Sequence, residues 1–116
     1  MIQFPTHIDQ VAALAEVSEL RHRVISHNLA NANTPNYKRL DVSFDQQLLK
    51  AKRERSENLS LLPTVGPGEA EAAGMDGNNV DLDQEVGKLS ENSMLFQMYS
   101  QIMASHLDSM RRAMQS

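Results

Sequence analysis

The chain has no cysteine and no tryptophan, and Phe and Tyr together account for only 4% of it. Without thiols, disulfides, thiolate metal sites and cysteine nucleophiles are excluded, and the redox compartment is left open. The scarcity of aromatics removes the side chains that usually supply most of the buried area in a compact core. Long apolar runs are also lacking. No window approaches the ~18 consecutive apolar residues that span a bilayer. The opening MIQFPTHIDQ has neither the basic stretch nor the apolar run of a cleavable secretory signal, so any export is expected to use a route that reads no such signal. Positive charge is not in excess: 11 Lys and Arg face 15 Asp and Glu, for a formal net charge of -4. That argues against nucleic acid as the main partner, because phosphate contact needs a concentrated cationic face. No GxSxG, phosphate-cradling glycine loop or HExxH occurs, and no serine has a recognisable base partner. Nothing reads as an enzyme, and no catalytic, cofactor or small-molecule site is expected.

The four histidines, His7, His22, His27 and His106, are too scattered for a metal site. His22 and His27 stand five apart rather than the three or four that set two ligands on one helical face. The acids Asp81, Asp83 and Glu85 are explained more simply by a helix start than by acid-base catalysis. The basic run KAKRER at 50–55 is offset by Glu54 and carries no interleaved aromatics, which reads as a solvated segment.

What the sequence does have is helix. Apolar residues make up 41% of 116 positions, drawn from Leu, Val, Ala, Ile and seven Met, a palette suited to helix seams. From 6 to 32, Thr6 followed by Asp9 fits a capping pattern. Val11, Leu14, Val17, Leu20, Val24, Ile25 and Leu29 then recur with a helical period, and Pro35 ends the run. Residues 37–49 are ambiguous: Tyr37, Leu40, Val42 and Phe44 fit a short strand or a hook back onto the helix. Residues 51–79 hold four of the five glycines and two of the four prolines and read as a loop. From 81 to 115 runs the strongest helical pattern, with Asp81 as cap, acids in the first turns, and Arg111 and Arg112 in the last. Leu82, Leu89, Phe96, Tyr99, Met103, Met110 and Ala113 fall close to a heptad seam interrupted by Asn92 and His106. Val86, Leu95, Met98 and Ile102 widen the apolar face.

A helix of about 32 residues is about 48 Å long, whereas a compact chain of this size has a radius of gyration of about 13 Å. The expected fold is therefore mainly α: two long terminal helices forming an elongated hairpin or coiled coil, with an irregular middle segment. The expected divisions are 1–36, 37–80 and 81–116. An apolar face too wide for one hairpin requires further chains to cover it.

One stretch remains, SHNLANANTPNYKR at 26–39. Asn28 and Asn31 share a helix face, and Asn33-Thr34-Pro35-Asn36 has the chemistry of a tight exit. One capping Asn would stop a helix; four suggest a specified turn with bonding capacity directed elsewhere, and Asn28 and Asn31 are placed to bond to each other's turn or to an adjacent chain. The run from His27 to Arg39 resembles the N-terminal signature of the bacterial flagellar rod, hook and hook-associated axial proteins, N-[LI]-A-N-x-x-T-x-G-[YF]-[KR]. Asn28, Leu29, Ala30, Asn31, Thr34, Tyr37 and Lys38 match it. Asn36 stands where the family usually has Gly, and Asn tolerates positive φ next best. The C-terminal third, through Gly77, Asn78, Val80, Asp81, Leu82, Glu85, Leu89, Asn92, Gln97 and Tyr99, is similar to the B-type proximal rod proteins of that family.

The resemblance implies a non-catalytic structural subunit of the basal-body rod, assembling through its terminal helices into a torque-transmitting shaft. It implies export by the flagellar type III route without a cleaved signal, and a place in the rod within the periplasmic space. The implied partners are other rod subunits and the chain itself in a helical assembly, together with the junction of membrane ring and export gate. Subunit contacts are expected at Asn28, Leu29, Asn31, Asn33, Thr34, Pro35 and Tyr37, and along the second helix at Leu82, Leu89, Phe96, Tyr99, Met103 and Met110. The competing expectation is a free-standing helical adaptor or secretion chaperone.

Overall fold

A computed structural model describes residues 6–44, 63–69 and 72–115. In chain order these form helix α1 (Thr6–Ala30), strands β1 (Leu40–Ser43) and β2 (Thr64–Pro67), and helix α2 (Leu82–Gln115). The fold is mainly helical, as the periodicity implies. The basic run 50–55 lies outside the described residues, as does the Thr6 side chain on which the first cap depends.

The start of α2 is built as its sequence dictates. Oδ1 of Asp81 accepts hydrogen bonds from the backbone N–H groups of Asp83 at 3.0 Å and Gln84 at 3.3 Å, satisfying donors that a helix start leaves orphaned. The helix runs on for 34 residues, about 51 Å at 1.5 Å per residue. The two helices are antiparallel. Asn28, near the end of α1, meets Glu85 at the start of α2. Asn92 bonds the carbonyl of Ser18, and Ile8 lines a hollow with Ile102 and Ser109. The result is a body of 64 × 30 × 21 Å with a radius of gyration of 17.8 Å, well above the compact value of about 13 Å.

The small core lies mostly between α1 and β1. Val17 and Val24 of α1 pack with Val42 and Phe44, flanked by Ala13, Leu14, Leu20 and Leu40. Phe44 is fully buried, so the segment after Tyr37 does both things the sequence left open: it forms a strand and hooks back onto the helix. β1 alternates, with Val42 buried between exposed Asp41 and Ser43. It pairs antiparallel with β2 in the register Val42↔Val65 and Leu40↔Pro67. Here the structure corrects the expectation that 51–79 is loop throughout. Thr64 and Val65 are β-branched and find a partner strand, and Pro67 is tolerated at the edge of a two-stranded sheet.

A second correction concerns the α2 seam. The α2 residues buried deepest are Glu85 and Asn92, while Leu82, Phe96 and Met110 of the expected seam are exposed. Asn92, read as an interruption, lies on the line that faces α1. Here the contact with α1 is organised around Glu85 and Asn92, with Leu89, Tyr99 and Met103 half-buried and Leu82, Phe96 and Met110 left outside.

Candidate functional site

The residues expected at the α1 exit converge on one polar junction, where the end of α1, the strand after it and the start of α2 meet. Asn28 is at its centre and has no exposed surface. Its Nδ2 donates to the Leu40 carbonyl at 2.8 Å and to Glu85 Oε2 at 3.4 Å. Its Oδ1 accepts from the Leu40 N–H at 2.9 Å and from the Tyr37 hydroxyl at 2.7 Å. A primary amide offers two donors and two acceptor lone pairs, and all are used.

The Tyr37 hydroxyl has one proton and gives it to Asn28, which has no donor on that oxygen. The contact of 2.8 Å between Tyr37 and His27 Nδ1 must therefore run the other way, with His27 as donor. The geometry thus fixes a proton on Nδ1. The two rings lie 5.6 Å apart at a tilt of 44°. Burial, and then the negative charge of Glu85, raise the Tyr37 pKa above its ordinary value, with Arg39 pulling partly the other way.

Beneath the amide is an ion pair. Arg39 and Glu85 are both buried, and Arg39 Nε donates to Glu85 Oε1 at 2.6 Å. The guanidinium also reaches the Glu69 carbonyl at 2.8 Å and lies 3.5 Å from Asp41. Burial by itself would lower the Arg39 pKa; the hydrogen bond and charge of Glu85, aided by Asp41, reverse the sign and leave it raised. Such a pair is satisfied only where its geometry is complete, and removing one member strands the other.

A second cluster closes the α1 exit. Nδ2 of Asn78 lies within 2.8 to 3.1 Å of the carbonyl oxygens of Asn31, Ala32 and Thr34, collecting acceptors that a helix end leaves unpaired. Asn31 Nδ2 donates to the His27 carbonyl, and the Thr34 hydroxyl donates to Asn31 Oδ1. Asn79 Oδ1 receives the Arg39 N–H at 2.6 Å. Asn36 has φ 63°, so the Asn that replaces the usual Gly does take the left-handed turn expected of it. Its N–H donates to the Asp76 carbonyl at 2.8 Å. Gly77, itself at φ 79°, packs so closely that any Cβ would collide with the Asn36 side chain.

Of the expected contact residues, Asn28 is buried and Leu29, Asn31, Tyr37, Leu89, Tyr99 and Met103 are half-buried. Asn33, Thr34, Pro35, Leu82, Phe96 and Met110 are exposed. Of the two destinations open to these amides, Asn28 spends all its bonds within its own chain, while Asn31 gives one N–H to the His27 carbonyl and accepts once from Thr34. The helix end abuts 76–79 and the strand of its own chain, and those nearby backbone groups take the bonds first. Sequence reasoning missed Arg39, Asn78, Asn79 and Glu85 as members of the junction. The Asn-Asn pair after Gly77 was the available signal, since two amides at a turn resemble those at the α1 exit. Among the described residues, no group of three or more His, Cys, Asp or Glu is placed to hold a metal, and no helix is long and apolar enough to cross a membrane.

A buried amide and ion pair that lock the two terminal segments together, beneath a long helix with its apolar side chains outside, define a structural assembly subunit. The profile of the family described as flagella basal body rod protein matches residues 20–38, a span that contains Asn28, Asn31 and Tyr37. The flagellar basal body rod protein FlgB of Borrelia hermsii is 33% identical over 126 residues, covering 91% of this chain and 93% of the relative. FlgB of Bacillus subtilis is 31% identical, covering 81% of each. FlgB of Salmonella typhimurium is 29% identical, over 82% of this chain and 83% of its own length. The chain belongs to the FlgB family of flagellar basal body rod proteins, as a structural subunit of the rod.

Proposed function

We propose that this subunit sits in the proximal part of the rod and helps to build a torque-transmitting shaft through its terminal helices. One observation carries the reading: α2 leaves Leu82, Val86, Met94, Phe96, Met98, Ile102, Leu107, Met110 and Met114 exposed. An isolated soluble chain seldom exposes so many large apolar side chains along one helix. Burial between subunits removes it from water at about 25 cal/mol per Å², which makes assembly and ordering of the helices one event. Contacts that do not close on themselves produce a helical shaft.

In this reading the exposed members of the expected set, Asn33, Thr34, Pro35, Leu82, Phe96 and Met110, make the subunit contacts. Asn28 holds the hairpin that presents them. The protein is non-catalytic and takes no nucleic acid or small-molecule substrate. It is exported without a cleaved signal, lies in the rod within the periplasmic space, and meets other rod subunits and the membrane ring and export gate. The division at residues 36 and 80 separates two axial helices from a middle segment.

The test is complementation. In a flagellated bacterium lacking its own copy, the full chain with Leu82→Glu and Val86→Glu is expected to be exported but to leave cells without complete rods and unable to swim. Normal swimming would refute the reading. A cysteine placed at Leu82 in intact basal bodies is expected to capture another rod subunit. The adaptor reading instead requires a stable, fully helical dimer in dilute solution.

A further inference from the structure

We infer that Asp76-Gly77 is a modification site, converting to isoaspartate in the open chain and closed to that reaction once the α1 exit has folded. The inference goes beyond the rod assignment and does not rest on it. The pair is the one place in the sequence where an Asp or Asn precedes a glycine. The chemistry needs that neighbour. The backbone nitrogen of Gly77 attacks the side-chain carboxyl carbon of Asp76, and a glycine has no Cβ to hinder the approach. A C–N bond forms, a C–O bond breaks, and the amide proton leaves with the hydroxyl as water. The five-membered succinimide then takes up water at either of its carbonyls. One opening restores Asp. The other routes the main chain through Cβ and Cγ of Asp76 and leaves the former backbone carbonyl as a free carboxylate. Water is released and taken up again, so no oxidant or co-reactant is required.

The fold holds both reacting groups away from this path. Asp76 is exposed, so access to solvent is not what limits the reaction. The Gly77 N–H donates to the Gly74 carbonyl at 2.9 Å, which engages the nitrogen that must attack. Oδ1 of Asp76 accepts the Asn78 N–H at 3.1 Å, which draws the carboxylate past Gly77. The turn is also stitched to its surroundings. The Asn36 N–H donates to the Asp76 carbonyl and the Gly74 N–H to the Asn78 carbonyl, while Lys38 bonds the Gly77 carbonyl. The Asn78 amide reaches the carbonyls of Asn31, Ala32 and Thr34. Freeing the two groups therefore means opening the α1 exit as a unit.

The same contacts say what conversion does. The oxygen that accepts the Asn36 N–H becomes part of a carboxylate hanging off the chain. Gly77 is pushed along by one methylene from a space beside Asn36 where not even a Cβ fits. Time spent open is thus written into the covalent chain, and a converted chain does not close the α1 exit again.

The full chain is held at neutral pH in buffer and in guanidinium chloride, and position 76 is followed by peptide mapping, where the isoaspartyl peptide elutes apart at unchanged mass. The folded chain is expected to convert about tenfold more slowly than the unfolded one, or slower still; equal rates overturn the inference. Asn78→Ala in buffer is expected to move the rate toward the denatured value, and a rate as slow as that of the parent chain overturns it. Asp76→Glu, which needs a six-membered ring, is expected to show no conversion at this position; conversion there overturns the assigned chemistry. The isoaspartyl chain, separated and refolded, is expected to unfold at a lower guanidinium midpoint, and an unchanged midpoint overturns the link between conversion and the α1 exit.

Discussion

Asn28 shows how much one side chain can organise. Its amide bonds both backbone groups of Leu40, the Tyr37 hydroxyl and the Glu85 carboxylate, joining three segments with no atom left over. Asn28→Ala removes the partner of the part-buried Leu40 N–H and carbonyl and leaves Tyr37 with His27 alone, and each buried polar group left orphaned costs about 1–3 kcal/mol. The expected result is a loss of about 3 kcal/mol or more, read as a lower urea midpoint. Tyr37 adds a pH dependence with a definite sign. Its folded pKa lies above the ordinary 10.0 because burial and Glu85 disfavour the phenolate. Its contribution is therefore complete below pH 10.0 and is lost as pH rises through the folded value. Denaturant midpoints measured across the alkaline range should fall, and Tyr37→Phe, though less stable at neutral pH, should show a flatter fall.

The helices differ in what holds them. α1 is anchored by apolar packing on Val42 and Phe44. The deepest contacts of α2 are Glu85 to Arg39 and Asn92 to Ser18. Within α2, Gly87 has open space where a Cβ would stand. Gly87→Ala should stabilise the isolated chain by about 0.5–1 kcal/mol through helix propensity, seen as a raised thermal midpoint. Both helices were legible in the sequence because their period is local, and so were the Asp81 cap and the left-handed Asn36. The inward face of α2 was not. Periodicity locates an apolar stripe but not its partner, and the groups that meet α1 are polar and bond residues 46 and 74 positions away. β2 was hidden for a similar reason: Thr64-Val65-Gly66-Pro67 is a strand only because Leu40–Ser43 lies beside it. The α1 exit was legible as a specified turn, but the direction of its amides was not, since Asn78 enters from 47 residues downstream of Asn31.

The whole molecule is a slender body, 64 Å long with a radius of gyration of 17.8 Å. Its apolar core is slight against the length of helix it must hold. In dilute solution the chain should be only weakly helical toward the C-terminal end of α2, where Leu107, Met110 and Met114 have no cover within the described residues. Circular dichroism at 222 nm is expected to deepen with concentration, in step with sedimentation. A signal already maximal in the dilute monomer would show that the hairpin completes itself alone.

The distance along the polypeptide between Asn28 and Glu85, 57 residues, also bears on the order in which the protein can be made. Translation produces the amide early and the carboxylate late, so the central clasp cannot shut until Glu85 has been made. A nascent chain halted before that point holds Arg39 with only the exposed Asp41 beside it and without its buried partner Glu85. Premature termination should therefore yield an open, protease-sensitive strand rather than a half-finished subunit able to enter and poison a growing shaft.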